Sequence, residues 1–303
     1  MASQLKKVTV SMMNAVHDLP LLVARDEGFF RDEGLDVDIL KTPGSGQHWS
    51  DHQALRANIF DRTMEALYDK GQCDQFRMCE WGVMKRAVES MSEAGHRPAK
   101  IVALGSAMSS FAIVADPKAR IYEPEQLKNR PIAVSPFNGS HFTTLKLLEG
   151  FLQRDQIKTT FAGTMRERLG AVERGEVAAA SVMEPWISVA EKMGLRVLLE
   201  SHSTRSEAAG DELDGPTLAK MFRAEATAAA AIERTPERYA HYLVEEAGGM
   251  LEARELRLGR LVNAPPEPYT RERFEHTYNW TLGWGLVPPG ATYENTVDNR
   301  AWQ

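Results

Sequence analysis

His48 and His52, four residues apart, and the adjacent pair Cys79 and Glu80 are the residues of this 303-residue chain best suited to chemistry. Two imidazoles at that spacing share one face of a helix, as two metal ligands would. The HxxxH pattern nevertheless lacks the glutamate of the zinc-protease HExxH and has no assured third ligand, so no metal and no cofactor are expected. In the plainer alternative His52 starts a helix and His48 lines a loop. A cysteine beside a glutamate can supply a nucleophile or a general acid and base, with a histidine across a cleft adjusting the protonation. Cys79 as a small buried hydrophobe is the competing reading. Glu80 is the better candidate, because a carboxylate facing an acidic ligand suits proton transfer better than simple anion binding.

A second set of residues suits binding. The run Ser135 to His141, SPFNGSH, is a glycine-containing loop that opens a helix, and its backbone N–H groups and helix dipole could hold a carboxylate, sulfonate or phosphate. Ser135, Asn138, Gly139, Ser140 and His141 are therefore candidate ligand contacts. Plain capping by Ser or Asn is the alternative. Glu184 and Trp186 follow a strand of small apolar residues. Glu184 either meets the ligand or complements a helix dipole at the surface, and Trp186 either stacks on a planar ligand or fills the core. Asn14 and His17 after the first strand, and Trp81 beside Glu80, complete the candidates.

These residues need elements to position them. Val16, Leu19, Leu22, Val23 and Phe30 recur at helical spacing, while Leu35, Val37 and Ile39 alternate with acids. An amphipathic helix is thus expected to pass through Gly28 and Gly34 into a strand. Further on, a helix from His52 to Lys70, a strand near Cys73 to Cys79, a helix from about Gly82 to Ala94 and the strand IVALGS follow. SSFAIVAD is expected to cross into a second lobe, where a strand ends at Val134 and a helix starts near Ser140. Helix, strand, helix and the strand RVLLES come next, and a helical section begins near Gly215. In open α/β sheets a ligand lies beyond the carboxyl ends of the strands, which is where all the candidate residues fall.

Composition narrows the function. Hydrophobic residues at 43% and charged residues at 26% describe a globular protein. A net charge of −6 and no basic run of five exclude nucleic acid as an expected partner. No window is long and apolar enough to span a membrane. The apolar stretch at the start is broken by Asn14, His17 and Asp18, unlike a secretory signal, so a cytoplasmic location is expected, or a periplasmic one if a signal peptide has been removed. Cys73 and Cys79, six apart on one expected strand, are too far apart to pair and read as free thiols in a reducing compartment.

Leu19 to Leu40 (LPLLVARDEGFFRDEGLDVDIL), LKNRPIAVSP and RGEVAAASVMEPW resemble, in order and spacing, the phrases of the nitrate, sulfonate, taurine and thiamine-precursor binding proteins. That family also includes cytoplasmic enzymes such as sulfinate desulfinases and pyrimidine synthases. The resemblance covers most of residues 7 to 200. It implies a two-lobed α/β fold of the type II periplasmic-binding kind, each lobe a mostly parallel sheet flanked by helices, with the ligand in the cleft between lobes. The expected division is residues 1–108 for the first part of lobe I, 109–202 for lobe II and 203–303 for a helical return to lobe I.

The chain departs from the family in a long insertion bearing His48, Trp49, His52, Arg56 and Arg62, and in SHSTRSEAAGDELDG, read as a polar loop in place of a strand. The desulfinase cysteine after the first strand is replaced by Asn14, Ala15 and Val16. The region of the pyrimidine-synthase lysine reads FRMCEWG. Two functions follow as expectations. The first is a cytoplasmic lyase, decarboxylase or hydrolase acting on a small organic acid through Glu80, His48, His52 and Cys79. The alternative is the substrate-binding subunit of an importer for a sulfonate, nitrate-like anion or pyrimidine precursor, which alone would require a permease partner.

Overall fold

The computed structural model describes residues 4–42, 63–91 and 95–303. His48 and His52, with Trp49, Arg56 and Arg62, lie outside the described residues. The chain opens with β1 (Lys6–Met12) and helix α1 (Ala15–Asp26). Asn14 caps α1, its side chain accepting from the His17 amide at 3.0 Å. The single helix expected through Gly28 and Gly34 is divided, because these glycines sit at φ +85° and +77°, a left-handed conformation that ends a helix. Short α2 (Phe29–Asp32) stands between them, and β2 (Leu35–Lys41) follows with Leu35 and Val37 buried and Asp36 and Asp38 exposed, the alternation expected of a half-buried strand.

Helix α3 (Met64–Asp69) leads to β3 (Gln75–Cys79), which passes without a loop into α4 (Glu80–Glu89). The long strand β4 (Lys100–Ala115) enters the second lobe. There β5 (Pro131–Val134), α5 (Gly139–Leu148), β6 (Lys158–Phe161), α6 (Met165–Glu173), β7 (Ala179–Met183) and α7 (Trp186–Lys192) alternate. A second long strand, β8 (Arg196–Ala209), returns to the first lobe. There α8 (Gly215–Arg234), α9 (Pro236–Glu246), β9 (Leu261–Asn263), α10 (Arg271–Gly283) and α11 (Tyr293–Thr296) complete the chain.

The architecture is α/β and two-lobed, built on one curled sheet of order β2-β1-β3-β8-β4-β7-β5-β6, with β9 against β4. The outer strands pair in parallel in each lobe, β1 with β2 and β3, and β5 with β6 and β7. The two long strands run antiparallel through the junction, from Lys100 opposite Ala209 to Ala115 opposite Arg196. The mostly parallel sheets therefore share an antiparallel centre. SHSTRSEAAGDELDG is not a loop up to Ala209: Ser201 to Ala209 is the inner half of β8. Its polar residues fooled the pattern because Ser203, Arg205 and Glu207 form a buried face of that strand. No described helix is long and apolar enough to cross a membrane.

Candidate functional site

Cys79 and Glu80 are neighbours in sequence and face different ways. Cys79 ends β3 opposite Arg205 of β8, so it shares the face of β8 that carries Arg205 and Glu207. Glu80 begins α4 and turns to the other face, where the hydroxyl of Thr204 donates to its Oε2 at 2.6 Å. Tyr269 and Thr277 donate to Oε1 at 2.7 Å each, and the Arg273 guanidinium grips both oxygens at 2.9 and 2.7 Å. Burial pushes the Glu80 carboxyl up, but hydrogen bonding and charge from Arg273, with Thr204 and Tyr269, outweigh it and hold the group below the ordinary glutamate range. Glu80 is thus a saturated, ionised anchor that ties α4 to α10 rather than a poised base.

Glu80 and Trp81 line a pocket of ≈ 720 Å³ with Thr143, Lys146, His202 and Arg273. Trp81 packs tilted against Trp280, ring centres 5.5 Å apart, and against Phe142 at 6.4 Å. Because a lowered folded pKa stabilises above the unfolded value, the Glu80 contribution is present above pH 4.5 and lost as acid protonates it. Glu80→Gln is expected to lower stability at pH 7 by about 2 kcal/mol and to flatten its decline below pH 4.5, as urea midpoints at several pH values will show.

Burial pushes the Cys79 thiol up to about 12 and the Cys73 thiol to about 11, and both cysteines are free and buried. Neither offers a thiolate at neutral pH. The native protein is therefore expected to resist iodoacetamide at pH 7.5 at both positions, each reacting at once in urea, with mass spectrometry as the readout. Gly139 fits beside Cys79 only because it lacks a side chain: a Cβ there would stand 2.8 Å from Cζ of Phe111 and 3.6 Å from Cβ of Cys79. This contact presses the start of α5 against the junction between lobes.

The loop that opens α5 caps its own helix. The Ser135 amide donates to Oγ of Ser140 at 2.9 Å, the Phe137 amide to Nδ1 of His141 at 3.2 Å, and the Gly139 amide to the Asn138 side chain at 2.6 Å. Most of the donors expected to hold an anion are thus occupied within the loop, the capping alternative. Burial lowers the His141 pKa, so its imidazole stays neutral. Glu184 is not a surface acid. It is 1% exposed, Ser188 donates to it through amide and hydroxyl, and Arg260 pairs with it at 3.1 Å. Trp186 is 1% exposed and sits in the hydrophobic core that includes Val182 and Met183 of β7.

Asn14 and His17 lie in a different setting. Both are buried, and Nδ2 of Asn14 and both ring nitrogens of His17 have no partner among the described residues. The His17 ring stands 5.9 Å from that of Phe111. Burial, then the nearby Arg205 and Arg77 charges, lower its pKa and keep it neutral. Arg205 itself is fully buried. One nitrogen, Nη2, donates to Asp18 at 2.7 Å and to the Arg77 carbonyl at 2.9 Å, while Nε and Nη1 have no partner among the described residues. Ser203, on the same face of β8, and Ser109, opposite it on β4, are buried with unpartnered hydroxyls. Unpartnered buried polar groups are costly and rare one by one. Those of Asn14, His17, Ser109, Ser203 and Arg205 lie along the lobe-crossing strands and the first turn of α1, and Arg205 is the charged group among these five.

The model of the NMT1/THI5-like family matches residues 15–54. No curated protein sequence matches the chain. The fold aligns with the alkanesulfonate-binding protein SsuA of Xanthomonas axonopodis pv. citri, solved with MOPS, at a TM-score of 0.69 and 15% identity over 95% of this chain and 96% of that one. It aligns with the periplasmic nitrate-binding protein NrtA of Synechocystis PCC 6803 at 0.71 and 13% identity over 100% and 88% of the two chains. This is the periplasmic-binding-protein fold. The desulfurization enzyme DszB shares the binding-protein fold at a TM-score of 0.59 and 13% identity, over 98% of this chain and 97% of that one. The resemblance to the sulfonate and nitrate binding proteins read from the N-terminal phrases therefore holds.

In the binding-protein fold the lobe junction is made by the crossing strands, and that is where the sequence reading missed residues. Arg205, Arg77, Ser109, Ser203 and Phe111 are absent from the sequence candidates, and SHSTRSE is polar at every position, so the buried face of β8 does not stand out as an alternation. The structure brings Asn14, His17, Cys79 and Gly139 to the same junction, places Glu80 and Trp81 on the other side of β8, and leaves Glu184 ion-paired with Arg260, which precedes β9, and Trp186 in the hydrophobic core.

Proposed function

We propose that this chain binds a small organic anion between its lobes as the recognition subunit of an importer. The observation that carries this reading is the buried Arg205 guanidinium with two unpartnered N–H donors, beside the amide of Asn14 and the neutral imidazole of His17. A guanidinium fork is the side chain best matched to the paired oxygens of a carboxylate or sulfonate. Burial strengthens that attraction, and neutral amide, imidazole and hydroxyl donors complete the shell without adding charge. The likeness to sulfonate-binding and nitrate-binding proteins supports the same ligand class, a location outside the cytoplasm and a permease as partner.

Lyase or hydrolase chemistry finds less support, since Cys79 is a protonated thiol and the Glu80 carboxylate is occupied by four side chains. The test is a thermal-shift screen of short sulfonates, carboxylates and nitrate, followed by calorimetry. A binder at a hundred times its Kd should add about 2.7 kcal/mol of stability and raise Tm by several degrees. A flat response to every anion would overturn the reading, and turnover of a bound acid would return it to catalysis.

A further inference from the structure

We propose, building on that anion-binding reading, that the site takes up its anion together with a proton, the anion on Arg205 and the proton on Glu207. The argument rests on the buried charges behind Arg205. Arg77 meets Glu207 at 2.5 Å, Glu225 at 2.7 Å and Asp18 at 3.3 Å, and Arg205 meets Asp18 at 2.7 Å, with all five side chains at 0% exposure. Three carboxyl groups thus share two guanidiniums. If all are ionised the cluster is one charge negative, and an arriving anion would make it two negative in a medium of low polarity. One proton on the cluster restores the balance.

Glu207 is where that proton fits. It faces Gln75 and Arg77 of β3, Gly105 of β4, Asp18 of α1, Glu225 of α8 and Arg205 on its own strand. Gln75 donates to its Oε2 at 2.7 Å, and Arg77 is shared with Glu225, which also accepts from Ser106 at 2.8 Å. Glu207 therefore has the least exclusive claim on a counter-charge. Burial raises its carboxyl well above the ordinary glutamate range, with the Arg77 charge opposing that and the Glu225 charge adding to it. Glu246, raised by burial to about 7 with the Asp18 charge adding to that, receives the Ala15 amide and borders the cluster through Asp18, so the proton uptake is measured in parallel in Glu246→Gln, which should keep the uptake at pH 8.

An anion on Arg205, itself part of the network, raises the Glu207 pKa further, so binding draws a proton from solvent wherever the free group is partly ionised. Ethanesulfonate, which carries no titratable proton, is the probe. Calorimetry in two buffers of different ionisation enthalpy is expected to report uptake of up to about half a proton per ligand at pH 8 and close to none at pH 6. Affinity should fall about fivefold or more from pH 7 to pH 9 in the wild type. Glu207→Gln, which mimics the protonated acid, should bind with no uptake at pH 8 and a flat affinity over that range. Binding by the wild type without proton uptake at pH 8 would overturn the coupling and leave the anion site standing. A slope that persists unchanged in Glu207→Gln would overturn it as well. Failure of ethanesulfonate and of every other short sulfonate and carboxylate to bind at pH 6 would overturn both.

Discussion

Replacing Arg205 by lysine is expected to weaken binding of a short sulfonate or carboxylate at least about 100-fold while leaving the protein folded. The lysine ammonium can keep the ion pair with Asp18, which Arg205 makes through Nη2 alone. It cannot reproduce Nε and Nη1, the two donors that have no partner among the described residues. Two charge-assisted hydrogen bonds in a buried site contribute about 1.5–3 kcal/mol each, and 1.4 kcal/mol is tenfold in affinity. Calorimetric titration of wild type and Arg205→Lys, with unfolding curves run in parallel, checks both halves. Equal affinity in the two proteins would remove Arg205 from the site. Arg205→Leu is a poorer experiment, because it leaves Asp18 buried against the backbone amides of Met13 and Asn14 with one cationic partner fewer.

Arg77→Met is expected to destabilise the fold by about 3–5 kcal/mol, the largest loss of any single change considered. Arg77 is the only guanidinium among the described residues that touches Glu207 and Glu225, and it also faces Asp18. Removing it strands two buried carboxyls on opposite elements, β8 and α8. Each must then take a proton or lose the packing that buries it. The fall in urea midpoint measures the loss. A double variant with Glu225→Gln should recover part of it, because the second change removes one of the stranded charges. A loss below about 1 kcal/mol would show that solvent reaches the cluster and screens it.

Several features were legible along the chain. The alternation of Leu35 and Val37 with Asp36 and Asp38 is reproduced in β2, and the small apolar run before Glu184 is the buried strand β7. The order of strands and helices follows the reading in most of the described residues because each element repeats its own period over a few residues, but the two expected strands IVALGS and SSFAIVAD are one continuous strand, β4. The misreadings share one cause. The polar residues of Ser201 to Ala209 read as a loop, and the partners of Glu80 do not show in the sequence because they stand 124 to 197 residues away. Single-chain periodicity registers whether a side chain is apolar, and is blind to which distant charge will cover a polar one.

The amino-acid order by itself determined the α/β class, the alternation within each lobe and the phrases that resemble the sulfonate and nitrate binding proteins, since these depend on patterns a few residues long. Tertiary structure alone decided that Cys79 and Glu80 look to opposite faces of β8, that the Ser135 to His141 loop spends its donors on itself, and that Arg205 keeps two donors free. The reason is geometric. Where two long strands cross between lobes, a one-residue step reverses a side chain, and the pairing of Arg205 with Asp18, 187 residues away, depends on how those strands are stacked.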